Sequence, residues 1–284
     1  MDVYNYHKCL LSAAPPHTII NEVNMKLALK YSKCWFARFT TDFDCGFETP
    51  WYYIIRDKPI KLEELNSGKR YEIRYGLKNF YIKKIDSDIE NIKELYRIYI
   101  KASERYNNFI SSTESDFIES TINSFEVNVY YGVFYKENNI LCGYAAIMEY
   151  GDVAAINMMK LDQDYFKLRL SYALVFYIVN LYLDEKHFKY IHNGSRSIRH
   201  DTNMQDFLIR ELGFKKVYTN LHIIYKSFFG IAVKLCFPFK ELIDKLPGIL
   251  FHNISSMLLQ EQIARETGKV FKDHQLKGCY VPNI

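Results

Sequence analysis

Two groups of polar side chains could carry out proton transfer. His200 and Asp201 stand side by side in a polar turn, and because an imidazole titrates near neutral pH, His200 could act as a general base. Glu149 and Asp152 flank the end of a strand-like segment and could deprotonate an amine directly or through water. Each group has a structural alternative. Asp201 could stabilise a helix N-terminus, and a carboxylate beside a turn commonly faces solvent.

Positive side chains surround the same turn. Arg196, Arg199 and His200 form a short basic stretch, to which Lys160 could contribute, and such a rim could bind phosphate, carboxylate or an RNA backbone. No aromatic residues are interleaved with these cations, so sequence-specific nucleic-acid recognition is not predicted. The net charge of +4 over 284 residues is also too small to indicate a nucleic-acid partner.

The segment that holds this turn, residues 193–214, reads NGSRSIRHDTNMQDFLIRELGF. Thr202 or Asn203 could cap a helix there, because their side-chain oxygens can accept from the free N–H groups of its first turn. Gly213 suits the left-handed residue that ends a helix. The segment therefore predicts a strand end, a polar turn, a capped helix and a return into another strand.

Hydrophobic periodicity predicts the elements around this segment. Apolar residues recur at helical spacing from residue 89, and three consecutive strand-like stretches are joined by turns at residues 137–139 and 151–152, as in antiparallel hairpins. The prediction is helices over 88–105 and 116–124, strands over 128–135, 141–150 and 153–161, a helix over 170–183, a strand over 190–193, a helix over 203–212 and one closing strand over 214–225.

Both the element order and the segment that ends in Leu-Gly-Phe resemble the GNAT acyltransferase fold. The resemblance implies an α/β fold whose mixed central sheet splays between its fourth and fifth strands, making a cleft for an acyl carrier. It implies transfer of an acyl group from acyl-CoA, such as acetyl-CoA, to an amine by direct attack. Backbone N–H groups near Asn157, Met159 and Lys160 would polarise the acyl carbonyl, and Asn203 would contact the cofactor arm.

Two signatures of that fold's enzymes are missing. The pyrophosphate motif Q/R-x-x-G-x-G/A is absent, because Phe166, Arg169 and Ser171 stand where Arg or Gln and the two glycines would be. Lys167 and Arg169 could contact phosphates by side chain instead. Otherwise the donor could be a carrier-protein arm or an aminoacyl-tRNA end, or the cleft could hold no donor.

The second missing signature is the tyrosine that serves as general acid. Ile209 occupies its position, and Tyr218 or Tyr225 could substitute from the closing strand. Because both signatures are missing, a non-catalytic ligand- or protein-binding module is an alternative to the enzyme.

Residues 63–85, a basic helix followed by a strand, resemble the segment that joins the two halves of Fem-type aminoacyltransferases, which are built from duplicated GNAT-like units. The resemblance implies a reduced GNAT-like half at residues 1–87 beside the acyltransferase domain at 88–225. Apolar segments at 228–239 and 246–259 predict a helical tail at 226–284, which we expect to pack on the body; covering a partner's surface or touching a membrane surface are the alternatives. It also makes tRNA-dependent aminoacyl transfer an alternative. The expected acceptor is a small-molecule or peptide amine.

Six scattered cysteines without a C-x-x-C pair predict reduced thiols and no metal site. The N-terminus lacks the pattern of a signal peptide, and the longest apolar run is about half of what a bilayer requires. We therefore expect a cytoplasmic protein without a transmembrane segment.

Overall fold

The computed structural model describes residues 2–104, 112–198 and 203–277. They form a mixed α/β fold with two mixed sheets. Contacts divide the chain into two compact units. The first comprises Met1–Ile54, Ser195–Asn203 and Lys216–Ile284, and the second comprises Ile55–Gly194 and Met204–Lys215. The predicted domain boundaries at residues 87 and 225 stay predictions. They refer to duplicated GNAT-like halves, whereas these two units are defined by contacts between residues.

The strands are β1 (Val3–Tyr6), β2 (Cys9–Ser12), β3 (Phe36–Thr41), β4 (Tyr52–Arg56), β5 (Phe80–Ile85), β6 (Asn128–Tyr135), β7 (Leu141–Tyr150), β8 (Val153–Leu161), β9 (Tyr190–Ser195), β10 (Lys215–Tyr218) and β11 (Asn220–Tyr225). The helices are α1 (Glu22–Tyr31), α2 (Ser67–Asn79), α3 (Ile89–Ser103), α4 (Glu114–Ser124), α5 (Leu170–Asn180), α6 (Met204–Leu212), α7 (Ser227–Cys236), α8 (Lys240–Ile243) and α9 (Ile249–Leu276).

The larger sheet has the strand order β10-β4-β9-β8-β7-β6-β5. Strands β5 to β8 are antiparallel neighbours, whereas β8 and β9 run parallel. Tyr130 belongs to a buried cluster with α3 and α4, while the ring of Tyr131 lies 6.1 Å from that of Tyr177 on α5. Consecutive strand residues point to opposite faces. Helices α3 and α4 therefore cover one face of this sheet, and α5 covers the other.

Local sequence explains where the helices of the second unit begin. Asn66, Asp88 and Thr113 each accept a hydrogen bond by side chain from a first-turn N–H, and so cap α2, α3 and α4. The basic helix predicted at the start of residues 63–85 begins at this cap as α2, and a separate 3-10 turn, Leu62–Glu64, precedes it. Gly68 consequently lies in the first turn of α2, where a glycine interrupts little of the helix.

The smaller sheet of the first unit has the order β1-β2-β3-β11. Strand β3 pairs parallel to β2 and antiparallel to β11. Met25 and Leu29 of α1 pack with Ala37 and Phe39 in one buried cluster, and Phe36 packs with residues of α7 and α9 in another. Strands β1 and β2 were not predicted from the sequence, which reads as mixed over these residues.

The prediction of one closing strand over residues 214–225 is wrong. The chain leaves the larger sheet after Tyr218 and enters the smaller one at Asn220. Thr219 between them is fully buried; its N–H donates to the Trp51 carbonyl at 3.2 Å, and its carbonyl accepts from the Thr49 hydroxyl at 2.9 Å. These bonds hold the backbone at the point where the strand changes sheets.

No helix in the part of the chain that the structure describes is long and apolar enough to cross a membrane. The cysteines within that part are all free thiols: Cys9, Cys34, Cys45, Cys142 and Cys236.

Candidate functional site

The larger sheet opens between β8 and β9. Their parallel ladder covers only Val153–Ala155 and Tyr190–His192, although β8 continues to Leu161 and β9 to Ser195. Just beyond the last pair, the side-chain amide of Asn193 donates to the Ile156 carbonyl at 3.3 Å. Backbone groups of β8 beyond Ala155 are therefore not taken up by β9, and they border the opening.

A β-bulge in β8 lies at the same point. Ala146 of β7 pairs with Met158 and Ile147 pairs with Ile156, so Asn157 is an extra residue without a direct partner on β7. Asn157 is exposed, and its side-chain amide donates to the Asn128 side-chain oxygen at 3.1 Å. A bulge bends its strand and frees backbone groups from the ladder, which is why bulges are frequent beside active sites.

A histidine–tyrosine pair lies where the ladder ends. Nε2 of His192 contacts the hydroxyl of Tyr150, and Nδ1 accepts the backbone N–H of Gly194 at 3.0 Å. Since Nδ1 accepts a hydrogen bond, the ring proton of the neutral imidazole is on Nε2. The imidazole therefore donates to the tyrosine oxygen, and this interaction stabilises negative charge on that oxygen.

Burial keeps the imidazole of this pair neutral. His192 is 5% exposed, and burial lowers its pKa to about 4. The strand register places both residues of the pair on one face of the sheet. His192 lies in one row across four strands with Ala155, Met148 and Asn128. Tyr150 lies two residues from Met148 on the same strand and therefore points to the same face. This face is the one covered by α3 and α4.

Helix α2 lies against the first turn of α5. A Cβ on Gly76 would be 2.6 Å from the Arg169 carbonyl oxygen and 3.2 Å from the Ala173 nitrogen. These two backbone groups form the first hydrogen bond of α5, at 3.2 Å. The backbone of α2 thus approaches the N-terminus of α5 as closely as a glycine permits.

Arg169 at this helix N-terminus is already paired. Its guanidinium forms an ion pair with the Glu72 carboxylate of α2, with Nη2 at 3.3 Å from Oε1. Its backbone is left-handed, with φ of 65°, at the junction between the 3-10 turn Gln163–Leu168 and α5. Because Glu72 compensates its charge, Arg169 is not an isolated cation that awaits a phosphate.

No known family profile matches the chain, and no curated protein matches its sequence. Solved structures do match its fold. FemX has a TM-score of 0.54 at 10% identity and covers 74% of this chain and 77% of its own. The chain has a divergent GNAT/Fem-like fold. L-PGS from Bacillus licheniformis matches with a TM-score of 0.47 at 12% identity, over 87% of this chain and 72% of its own. A GCN5-related N-acetyltransferase from Sphaerobacter thermophilus matches with a TM-score of 0.40 at 11% identity, over 72% of this chain and 64% of its own.

The GNAT/Fem-like fold brings some of the predicted donor-binding residues together. Asn157, Met159 and Lys160 follow one another along the open part of β8, and the Lys160 ammonium lies 5.6 Å from the centre of the Tyr99 ring. Lys167 is exposed on the 3-10 turn before α5, and Ser171 lies in the first turn of α5. Their roles in donor binding stay predictions.

Other predicted residues lie elsewhere. Tyr225 is in the first unit, where its hydroxyl donates to Glu261 at 2.5 Å; burial and this carboxylate raise its pKa. Asn203 directly precedes α6 and belongs to the first unit. His200 lies outside the described residues, as do its neighbours in the predicted turn. Arg196 donates to the Pro50 carbonyl at 2.6 Å.

Glu149 lies on the α5 face of the sheet, opposite to His192. Its carboxylate accepts from the Tyr182 hydroxyl at 2.5 Å and from the Lys186 ammonium at 2.6 Å. Burial acts to raise the pKa of Glu149, but the hydrogen bonds from Lys186 and Tyr182 outweigh it and hold the pKa below its ordinary value. A carboxylate that is this well stabilised is a weak base, which favours a structural role.

We expect Glu149→Gln to lower the free energy of unfolding by about 1 kcal/mol at neutral pH, because a charged acceptor is lost. The folded pKa lies below the ordinary value of 4.5. The stabilisation is therefore present above that value and disappears as the pH falls through the folded pKa. Denaturant unfolding at several pH values tests this, with the exposed Glu185→Gln as control. The prediction would be contradicted if the difference in unfolding free energy between wild type and Glu149→Gln stayed the same at acid pH.

One sequence feature points to the position of the histidine–tyrosine pair. Residues 190–194 read YIHNG, a short strand that ends in polar residues, and such ends often border a cleft. Tyr150 stands at the end of β7 next to the hairpin turn. The contact between these two side chains could not be predicted from the sequence, because they lie 42 positions apart.

The first unit has a cavity of its own. Its volume is about 470 Å³, and it is lined mainly by β11 and α9. Three of the charged residues in its wall are paired within the unit: Glu22 with Lys26 at 2.5 Å, and Glu261 with Arg265 at 2.8 Å, whereas Lys272 is exposed. Because this pairing compensates both carboxylates of the wall, we place the candidate site at the opening of the larger sheet.

Proposed function

We propose that the protein is an N-acyltransferase, in which an amine attacks an ester or thioester carbonyl directly. The observation that carries the proposal is the coincidence of the β8–β9 opening with the bulge at Asn157 in a GNAT/Fem-like fold. Backbone N–H groups of β8 that border this opening can donate to the acyl oxygen as negative charge develops on it. Asn157, Met159 and Lys160 supply that stretch of backbone.

Tyr150 and His192 are the proposed proton-transfer pair. The Nε2–H of His192 donates to the Tyr150 oxygen and stabilises it as the phenol releases its proton. In this scheme the amine nitrogen forms a bond to the carbonyl carbon, the bond to the carrier oxygen or sulfur breaks, and Tyr150 protonates that leaving atom. Water or a second base then takes the proton from the new amide nitrogen, and the tyrosine regains its own. Tyr150 thus fills the role for which Tyr218 and Tyr225 were candidates.

The packing of α2 favours a donor other than free acyl-CoA. Helix α2 lies against the first turn of α5 and Glu72 compensates Arg169, so a pyrophosphate would find neither an open helix N-terminus nor an unpaired arginine there. Exposed Lys167 is the cation that remains nearby. An aminoacyl-tRNA or an acyl group on a carrier protein satisfies this constraint, because its phosphates can bind elsewhere. Acetyl-CoA and longer acyl-CoAs are the comparison donors.

The test is acyl transfer followed by mass spectrometry. The purified chain is mixed with acetyl-CoA, acyl-carrier protein or aminoacyl-tRNA and a panel of amines. We expect transfer from at least one donor, and we expect Tyr150→Phe to lower kcat by about 100-fold or more with donor affinity unchanged. Tyr81→Phe, on β5, is the control. If the wild-type chain binds a donor and transfers nothing, the binding-module alternative replaces the enzyme.

A further inference from the structure

Helix α7 presents an apolar face to solvent. Val233 is buried, and Phe229 and Cys236 pack beside it in the core of the first unit. On the other side, Phe228, Ile231 and Leu235 are 63%, 60% and 68% exposed. Their spacing of three and four residues places them on one face of the helix. A helix that is apolar on both faces is stable at a surface only if something covers the outer one.

The exposed apolar surface continues along the chain. After α7 the chain forms a 3-10 turn, α8 and the start of α9, and it leaves further large apolar side chains in solvent. We call the whole set the apolar patch: Phe228, Ile231, Leu235, Phe239, Leu242, Leu246, Ile249 and Leu250. These large apolar residues are exposed within 23 positions of the chain, which is a higher density than the single exposed apolar residues scattered over an ordinary surface. Such a density indicates an interaction site.

One exposed aromatic residue of the same unit, Trp35, lies against α7 beside the apolar patch. The ring of Trp35, which is 46% exposed, lies 5.3 Å from that of Phe229 on α7. The Lys226 N–H donates to the Trp35 carbonyl at 2.9 Å, and its ammonium donates to the Ser32 carbonyl at 2.6 Å. Exposed tryptophan and tyrosine side chains are typical of protein surfaces at the boundary between water and lipid.

The surroundings of the apolar patch are positively charged. Residues 226–250 contain four lysines against Glu241 and Asp244, and Asp244 is itself paired with Lys240 at 2.8 Å. Lys30 and Lys33 add two further charges beside Trp35. These two segments together carry a net charge of +4, which equals the net charge of the whole chain. Exposed Lys234 and Lys245 lie within the patch sequence itself.

We propose that the apolar patch docks the protein on an anionic lipid surface. Apolar side chains would enter the boundary between headgroups and acyl chains, and the lysines would contact the negative headgroups. The charge complementarity selects lipid over an apolar protein partner. Helix α7 has ten residues, so it would lie in the interface and not cross it. The proposal is independent of acyl transfer.

The test is co-sedimentation of the full chain with phosphatidylcholine vesicles that either contain or lack phosphatidylglycerol. We expect binding to the anionic vesicles, which weakens as salt is added. Ile231→Ser with Leu235→Ser should lower the partition coefficient by about tenfold for each side chain. Lys234→Gln with Lys245→Gln should lower it by about fivefold for each lysine, and only on the anionic vesicles.

The matched control is Ile122→Ser with Val127→Ser. These two residues are exposed apolar residues of the second unit, 48% and 60% exposed, so the control removes the same kind of surface elsewhere. Unchanged binding of the control supports the proposal. It is overturned if wild type does not bind anionic vesicles, or if the patch variants bind as wild type does. It is also overturned if wild type self-associates in sedimentation velocity without lipid and the Ile231→Ser, Leu235→Ser variant does not, since the patch would then join two copies.

Discussion

Gly76→Ala is expected to lower the free energy of unfolding by about 1–3 kcal/mol. The added Cβ would lie 2.6 Å from the Arg169 carbonyl oxygen, and a backbone atom cannot rotate away as a side chain can. Relief requires α2 to move off the first turn of α5, which also stretches the ion pair between Arg169 and Glu72. Denaturant unfolding followed by circular dichroism measures the change.

Gly68→Ala is the matched control on the same helix. Its Cβ would have only the Asn66 side-chain oxygen nearby, at an ordinary 3.6 Å. There the alanine should gain helix propensity and stabilise by up to about 1 kcal/mol. The two substitutions are chemically identical and opposite in expected sign. If both stabilise, α2 does not pack against α5 as described, and the N-terminus of α5 would be open to a donor's phosphates.

His192→Gln is expected to remove an acid-dependent loss of stability. Burial lowers the pKa of His192 to about 4, whereas the unfolded chain has an ordinary value near 6.5. Below pH 6.5 the unfolded state therefore binds a proton that the folded state does not, and wild type loses stability until the pH reaches about 4. The full size of this effect is about 3 kcal/mol.

The measurement is the difference in unfolding free energy between wild type and His192→Gln from pH 7.5 to pH 4. Carboxylates titrate equally in both proteins, so the difference isolates the imidazole. Exposed His187→Gln serves as control and should retain the wild-type slope. If His192→Gln also retained it, the imidazole would have to be charged or solvated in the folded protein. Under the proposed function, His192→Gln should in addition lower kcat, because the glutamine cannot stabilise the Tyr150 oxygen in the same way.

Local pattern was sufficient for most elements of the second unit. The predicted bounds of β6, β7 and β8 agree with the structure, because these stretches are rich in apolar residues and the turns that join them carry Asn-Asn and Gly-Asp. Helix α3 follows from apolar residues at helical spacing after an Asp cap. In each case the information lies within one segment, so a reading of neighbouring residues recovers it.

Long-range packing determined the sheet membership, the strand pairing and the bulge, which the local residue pattern could not predict. The pattern over residues 214–225 predicts a single strand, whereas the strand pairing in the structure divides these residues between two sheets at the buried Thr219. Strands β1 and β2 are short; β1 pairs with β2, and the pairing of β2 with β3 joins positions far apart in the chain. The bulge at Asn157 depends on the register of β7 against β8, which the residues of β8 alone do not specify.

The sequence alone determined the type of fold, the order of the elements in the second unit and the absence of a glycine loop before α5. These properties are written in turn residues, caps and periodicity, which act over a few positions. The tertiary structure alone decided that Tyr150 meets His192, that Glu72 compensates Arg169, that Tyr225 faces Glu261, and that one face of α7 stays in solvent. The three contacts join residues distant in the chain, and the exposure of α7 likewise depends on how whole elements pack.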